Sequence, residues 1–342
     1  MIDLLQFQRP ASLEATSPPE ARGVDRDSVR LLVSENGKIR HRSFLDLPTL
    51  LDPGDLLVVN ESGTLPASLP AHAGFGPFRV NLSTRYGDRL WLVEPRWGLG
   101  QPGPVPLHEG ERFVVAGISA RLVTGYPGIP RLVFVEFDGD IDKAMKRFGA
   151  PIRYGYVREA WPLDAYQTMF AVAPGSVEMP SAARPFTPRL VAGLTERGVG
   201  IVSITLHTGV SSLEAEPNAA SPPIYPEPFQ VSSEAVARIH RARESGRRVV
   251  AVGTTVVRAL ESATEGGRLR PARGFTRAFI EPHRGAHTVD GLVTGFHDPR
   301  TTHLAMLESF LDRSQLQRAY EAAIAGRYLW HEFGDSHLIL RW

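Results

Sequence analysis

The sequence contains no cysteine, which rules out disulfides, thiolate nucleophiles and every cysteine-ligated zinc or iron–sulfur site. Lysine is nearly absent too: of 38 basic residues only Lys38, Lys143 and Lys146 are lysines. Arginine suits bidentate contacts to phosphate or carboxylate, although a GC-rich genome would produce the same bias. No apolar run approaches the ~18 residues a membrane span needs. The start, MIDLLQFQRP, lacks both the basic opening and the long apolar stretch of an export signal. A cytoplasmic protein without membrane contact is expected, and we expect a monomer. A net charge of +1 excludes a chain coated in positive charge for nucleic acid but leaves room for a local patch. Gly-x-Gly-x-x-Gly, Walker and His-Glu-x-x-His patterns are all missing, and PGSVEMPS is not a nucleophile elbow. Dinucleotides, nucleoside triphosphates and a bound metal are therefore not expected; His297 and His303, six apart, suit one helical face poorly.

What is present divides into two textures. The 342 residues suggest two domains. Between Thr64 and Gly149, short alternating segments (RLWLVEP, RFVVAG, ARLVTG, RLVFVEF) are separated by Gly- and Pro-containing turns. That pattern predicts a small antiparallel barrel or sandwich. Outside it, buried strands (LLVVN, GIVSITL, RVVAVG) alternate with helical stretches (SEAVARIHRARES, TTHLAMLESFLDRSQLQRAYEAAIAG), which is α/β texture. The expected architecture is an α/β main domain, 1–63 plus 150–342, with an antiparallel β-barrel domain inserted at 64–149. ASPPIYPEPF, with Pro222, Pro223, Pro226 and Pro228, reads as a loop.

The stretch most suggestive of chemistry is RVVAVGTTVVRALESA. An apolar strand ends at Gly253, Thr254 or Thr255 can cap the helix that follows, and Arg258 lies one turn further on. A strand, a glycine and a helix start bring free N–H groups and a positive dipole end to one point, which suits a carboxylate or phosphate. An ordinary strand-to-helix turn with a salt-bridging arginine fits the same residues. His207 follows the strand GIVSITL, where open α/β sheets keep their ligands; it and Asp335 are candidates for proton transfer. Asp335 and Asp290 could equally hold turns. Arg238, Arg241, Arg243, Arg247 and Arg248 form a basic stretch that reads either as a phosphate contact or as a solvated helix face.

YQTMFA, PGSV, FTP, ITLHTG, VGTTVVRALES, VDGLVTGFHDPRTT and FGDSHLIL, together with RDSVRLLV and PGDLLVVNES, occur in the order found in the S-adenosylmethionine:tRNA ribosyltransferase-isomerase family of queuosine biosynthesis, which the chain resembles over almost its whole length. The resemblance implies the fold just described and a cofactor-free transferase/isomerase. S-adenosylmethionine, as substrate, gives its ribosyl carbons to the aminomethyl group of a 7-deazaguanine in tRNA, and adenine and methionine leave. Gly253, Thr254, Thr255 and Arg258 are then candidates to grip the methionine carboxylate, Tyr166 and Gln167 to hold the adenosine, and His207 and Asp335 to move protons. The chain departs from the family pattern at several points. SAARPF with Arg184 stands for TAGLHF, Asn60-Glu61-Ser62-Gly63 for Asn-Asp-Thr-Arg, and GVSSLEAE for GLGTFRPV. Asp298 stands within Gly295-Phe296-His297-Asp298-Pro299, where NFHLP is usual. These changes add acid at Glu214, Glu216 and Asp298, keep one at Glu61, and remove an arginine at Gly63, with only Arg184 opposing them. From them we expect S-adenosylmethionine use to persist and tRNA binding to be weak; the family's transfer to tRNA and a divergent lyase or small-molecule transferase both stay open. The alternative is an inactive relative that binds nucleoside or RNA.

Overall fold

The computed structural model describes residues 5–98, 103–210, 225–282, 285–299 and 301–341. Glu214, Glu216, Pro222, Pro223 and most of GVSSLEAE lie outside the described residues.

Leu56–Asn60 is the centre of the main sheet because all five of its residues are apolar or amide and every one is buried. It pairs in parallel with Gly200–Leu206 on one side and Val249–Val252 on the other, and Gly291–Gly295 continues the parallel run. Alternation along these strands feeds two cores. Leu56, Val58, Val202, Ile204 and Ala251 face the helices Ser233–Glu244, Thr254–Ser262 and Arg313–Ala325 through Ile239, Leu260 and Leu316. Leu57, Val59, Val250 and Val252 face Phe44, Phe186 and Leu190 on the opposite side. Ser336–Leu340, Arg30–Glu35 and Lys38–Ser43 extend one edge, and Glu227–Val231 and Ala272–Thr276 the other, giving nine strands.

Six strands, Ser68–Ala73, Gly76–Arg85, Leu90–Arg96, Arg112–Val115, Ile118–Gly125 and Val133–Phe137, pair only among themselves as a closed antiparallel barrel. Its interior is a separate core that includes Leu69, Val80, Val93 and Val135. The α/β sheet and the barrel are the two textures of the sequence.

One segment differs from its sequence reading. Glu227–Val231, taken with its prolines as loop, is a strand. Pro228 is tolerated because its carbonyl accepts the His207 N–H at 2.9 Å, a bond that asks no donor of the proline.

The topology fixes where a ligand can sit. The parallel strands end at Asn60, Leu206, Val252 and Gly295, so the residues that follow them converge on one edge of the sheet, beside the barrel. Crevices at the carboxyl ends of such strands are where α/β proteins bind ligands.

Candidate active site

A cleft of about 500 Å³ opens there, lined by Thr208, Gly253–Thr255, Thr294–Asp298 and, from the segment following the barrel, Ile152, Tyr154 and Tyr156. At its floor the chain turns from strand to helix at Gly253, whose φ of 98° and ψ of 152° belong to a region that only glycine occupies comfortably. Gly253 itself is the N-cap, and no side chain caps this helix. This corrects the expectation that Thr254 or Thr255 does so. Both threonines are inside the first turn and their hydroxyls turn elsewhere: Thr254 Oγ1 meets His303 Nδ1 at 3.1 Å, and Thr255 Oγ1 accepts from Asn60 Nδ2 at 3.4 Å. The Gly253 N–H donates to the Val293 carbonyl at 2.8 Å and the Val256 N–H to the Gly253 carbonyl at 3.2 Å, which leaves the Thr254 and Thr255 N–H groups available at the helix start.

Arg258 enters the same space. Its Nη1 is held by the buried carboxylate of Glu227 and its Nε donates to the Ala278 carbonyl at 3.0 Å. Its Nη2 is buried with no hydrogen-bond partner among the described residues. Glu227 is itself fixed, accepting the Gly209 N–H at 2.7 Å. Arg258 is thus the salt-bridging arginine of the sequence reading, with two donors that orient it and a third left over.

The cleft also carries three imidazoles. His297 and His303 stack with 4.5 Å between ring centroids and 7° between planes, and His331 stacks on Tyr156 at 4.2 Å. Burial pushes the imidazolium of His303 down to about 4 and that of His297 well below its ordinary value, so both rings are neutral at pH 7. Burial also pushes the Glu332 carboxyl up, against the hydrogen bond it accepts from Tyr156. His303 drew notice only for its spacing from His297, and Tyr156, His331 and Glu332 did not stand out, because Tyr156, His303 and the adjacent pair His331-Glu332 come from three separate segments.

Of the residues the sequence nominated, Gly253, Thr254, Thr255, Arg258 and Tyr166 line the cleft; Gln167, His207 and Asp335 do not. Tyr166 is buried, and its hydroxyl has no hydrogen-bond partner among the described residues. Gln167 bridges the Thr64 backbone, accepting its N–H at 2.9 Å and donating to its carbonyl at 2.8 Å. His207 sits behind the strand ends with Nδ1 on the Ser62 hydroxyl at 2.7 Å. Asp335 spends its carboxylate on the backbone, taking the N–H groups of Arg30 and Leu329 at 2.8 Å each. Asp335→Ala is expected to lower stability by about 1–3 kcal/mol by orphaning two N–H groups, with ligand affinity unchanged; thermal melts beside a binding titration check this. Asp290 likewise holds a turn, accepting the Val249 N–H at 2.8 Å. In the basic stretch, Arg248 is buried in ion pairs rather than offered to phosphate.

The model of the family described as queuosine biosynthesis protein matches residues 2–339. The chain belongs to this family. Relatives named S-adenosylmethionine:tRNA ribosyltransferase-isomerase include that of Moorella thermoacetica, 37% identical over 99% of both chains. Another, from Thermus thermophilus, is 36% identical over 94% of this chain and 97% of its own. A crystal structure of an S-adenosylmethionine tRNA ribosyltransferase from Thermotoga maritima is similar with a TM-score of 0.55 and 29% identity, covering 98% of this chain and 99% of that one. The queuosine biosynthesis family is thus matched along the α/β domain and the barrel alike. Among the described residues no group of three or more His, Asp or Glu is placed to hold a metal, and no helix is long and apolar enough to cross a membrane.

Proposed function

We propose that this member of the queuosine biosynthesis family consumes S-adenosylmethionine, transferring its ribosyl carbons to an acceptor and releasing adenine and methionine. The observation that carries this reading is the uncapped helix start at Gly253 with the spare, buried Nη2 of Arg258 beside it. Backbone N–H groups and one guanidinium edge make a metal-free cradle for the methionine carboxylate. The sulfonium acidifies the adjacent ribose C5′ hydrogens, and a neutral imidazole is the group to take such a proton. We assign that role to the His297–His303 pair in preference to His207, which does not line the cleft. Tyr166 supports the adenosine.

The acceptor in this reading is tRNA, as in the relatives' names. Of the acids that argued against it, Glu61 and Asp298 are engaged internally. Glu61 accepts from the Ser203 and Thr205 hydroxyls, at 2.5 and 3.0 Å, and Asp298 is paired with Arg9 at 2.8 Å. A second reading, with a different acceptor, draws on the arginines. Gly63 carries no side chain, and Arg184 is buried against Glu20 and under the Phe333 ring, its pKa pushed down to about 10 by burial. Neither offers a cation to phosphate.

Adenine release from S-adenosylmethionine, measured with and without tRNA bearing the deazaguanine and across salt concentrations, separates the two. Release that requires tRNA is expected. Its tRNA affinity should fall by about 0.7–0.9 log units per log unit of salt for each phosphate contacted. Release indifferent to tRNA and salt would move the assignment to the second reading, and no release under any condition would overturn both.

A further inference from the structure

The carboxylate grip occupies one part of the cleft, and a continuous path of contacts leads away from it to a group of another kind. Thr254 meets His303, and His303 lies flat on His297. Next in the chain is Asp298, whose carboxylate approaches His331 Nε2 at 3.6 Å. His331 stacks on Tyr156, and Tyr156 donates its hydroxyl to Glu332. Each of these residues lines the cleft. Tyr166 closes the far corner. Its ring packs on Phe333, the residue after Glu332, at 5.1 Å, and its hydroxyl is buried without a partner among the described residues.

The path ends where the proposed reaction needs something not yet assigned. Adenine departs when the bond between C1′ and N9 breaks and the electron pair goes to N9. An adenine anion is a poor leaving group, so a proton must reach the base as the bond stretches. The donor has to line the cleft away from the carboxylate grip and carry a proton it can give up. His297 and His303 are held neutral and serve as acceptors. Tyr156 and Tyr166 hold their protons more tightly than a free phenol, chiefly through burial. Of the carboxyls that line the cleft, Glu332 stands next to Phe333, on which the Tyr166 ring packs, and burial favours its protonated form.

We infer that Glu332 is the proton donor to the departing adenine, that Tyr156 positions it, and that the Tyr166 hydroxyl hydrogen-bonds the base. The inference rests on the function proposed above. The Glu332 Oε–H gives its proton to a ring nitrogen, the C1′–N9 pair becomes the lone pair of N9, and Glu332 is left as a carboxylate that the Tyr156 O–H stabilises. The proton that the acceptor nitrogen sheds on forming its new C–N bond balances the one adenine carries away, and water reprotonates Glu332 between turnovers.

Burial of Glu332 raises its pKa. The Tyr156 hydrogen bond and the charge of Arg184 oppose this, and Tyr166, His331, Arg26 and Asp335 are further titratable groups that share its cavities. Glu178 acts on Tyr156 from the other side. An acid with a raised pKa works while protonated, so activity is full below that pKa and is lost as pH rises through it.

The test is adenine release by Glu332→Gln, which keeps shape and polarity but has no proton to transfer. Its kcat should fall about 100-fold or more with little change in KM, and the alkaline limb of the pH profile should disappear. An S-adenosylmethionine analogue whose base is a more acidic azapurine should lose much less to the same substitution, because its base leaves without help. Tyr156→Phe should move the alkaline limb to higher pH, since the hydroxyl favours the carboxylate form. A Glu332→Gln enzyme with unchanged kcat and pH limb, or one that loses the analogue's rate equally, overturns the inference. If Glu332→Gln does not fold, an unmoved limb in Tyr156→Phe overturns it instead. A wild-type enzyme that releases no adenine sinks the functional reading and this inference with it.

Discussion

Replacing Asp55 by alanine is expected to cost the fold about 3–5 kcal/mol, the usual penalty for leaving one charge of a buried ion pair uncompensated. Asp55 is 2% exposed and uses both oxygens. Oδ1 accepts the backbone N–H of Arg248 at 3.0 Å, and Oδ2 accepts Arg248 Nε at 2.8 Å and the Asp52 N–H at 2.9 Å. Arg248 Nη2 lies 2.6 Å from the same carboxylate. Without it, the arginine keeps only the exposed Asp52 at 2.9 Å and Glu35 at 3.8 Å. The pair ties the Pro53-Gly54-Asp55 turn to the start of Val249–Val252 at the point where Leu56 N–H donates to the Arg248 carbonyl, so two central strands lose their shared anchor. Chemical denaturation measures the loss. The double variant Asp55→Ala, Arg248→Met, which removes both charges, should be more stable than Asp55→Ala alone. A loss below about 1 kcal/mol would mean that Asp52 and Glu35 suffice for Arg248.

The parts of this protein that were legible in the sequence are those decided by neighbours along the chain. LLVVN and VVAV read as doubly buried strands because strands covered on both faces have no polar alternation, and the barrel strands read as such because half of their residues face a core. The turn at Gly253 was legible for the same reason: strand, glycine and helix are contiguous. Glu227–Val231 was not, because prolines argue against a strand unless one knows that the neighbouring strand needs only a carbonyl from them. Asp335 and His207 illustrate the limit for chemistry. A polar residue after a strand or in a tight turn has the same local pattern whether it serves substrate or backbone, and only the partners decide. In this fold Asp335 is taken by two N–H groups and His207 by Ser62. His303, His331, Glu332 and Tyr156 stand in the opposite case, brought to one wall by tertiary packing that no sequence spacing encodes. The acidic substitutions are a third case. Asp298 adds formal charge and Glu61 keeps it, but each is engaged by partners that the linear sequence does not name.

Arg258→Ala is expected to weaken S-adenosylmethionine binding by about 1.5–3 kcal/mol, the worth of a charge-assisted hydrogen bond to a carboxylate in a sheltered site, or roughly a 10- to 150-fold rise in Kd. The argument is one of donor accounting. Two of the three guanidinium nitrogens are used to aim the side chain, Nη1 at Glu227 and Nε at the Ala278 carbonyl, and a buried N–H with nothing to bond is costly unless a ligand supplies the acceptor. The uncapped helix start offers further N–H groups within the same cleft, so removing the arginine weakens the grip without abolishing it. Because the substitution also strips Glu227 of its counter-charge, stability will fall as well, and affinity must be read on folded protein by calorimetric titration. The deciding comparison is 5′-methylthioadenosine, which keeps the adenosine but has no amino acid. Its affinity should be the same for wild type and Arg258→Ala, whereas that of S-adenosylmethionine should separate. Glu227→Gln, which keeps the guanidinium but loosens its aim, should fall between the two. Equal losses for both ligands would assign Arg258 to shaping the cleft, and no loss for either would leave it an ion-pair partner alone.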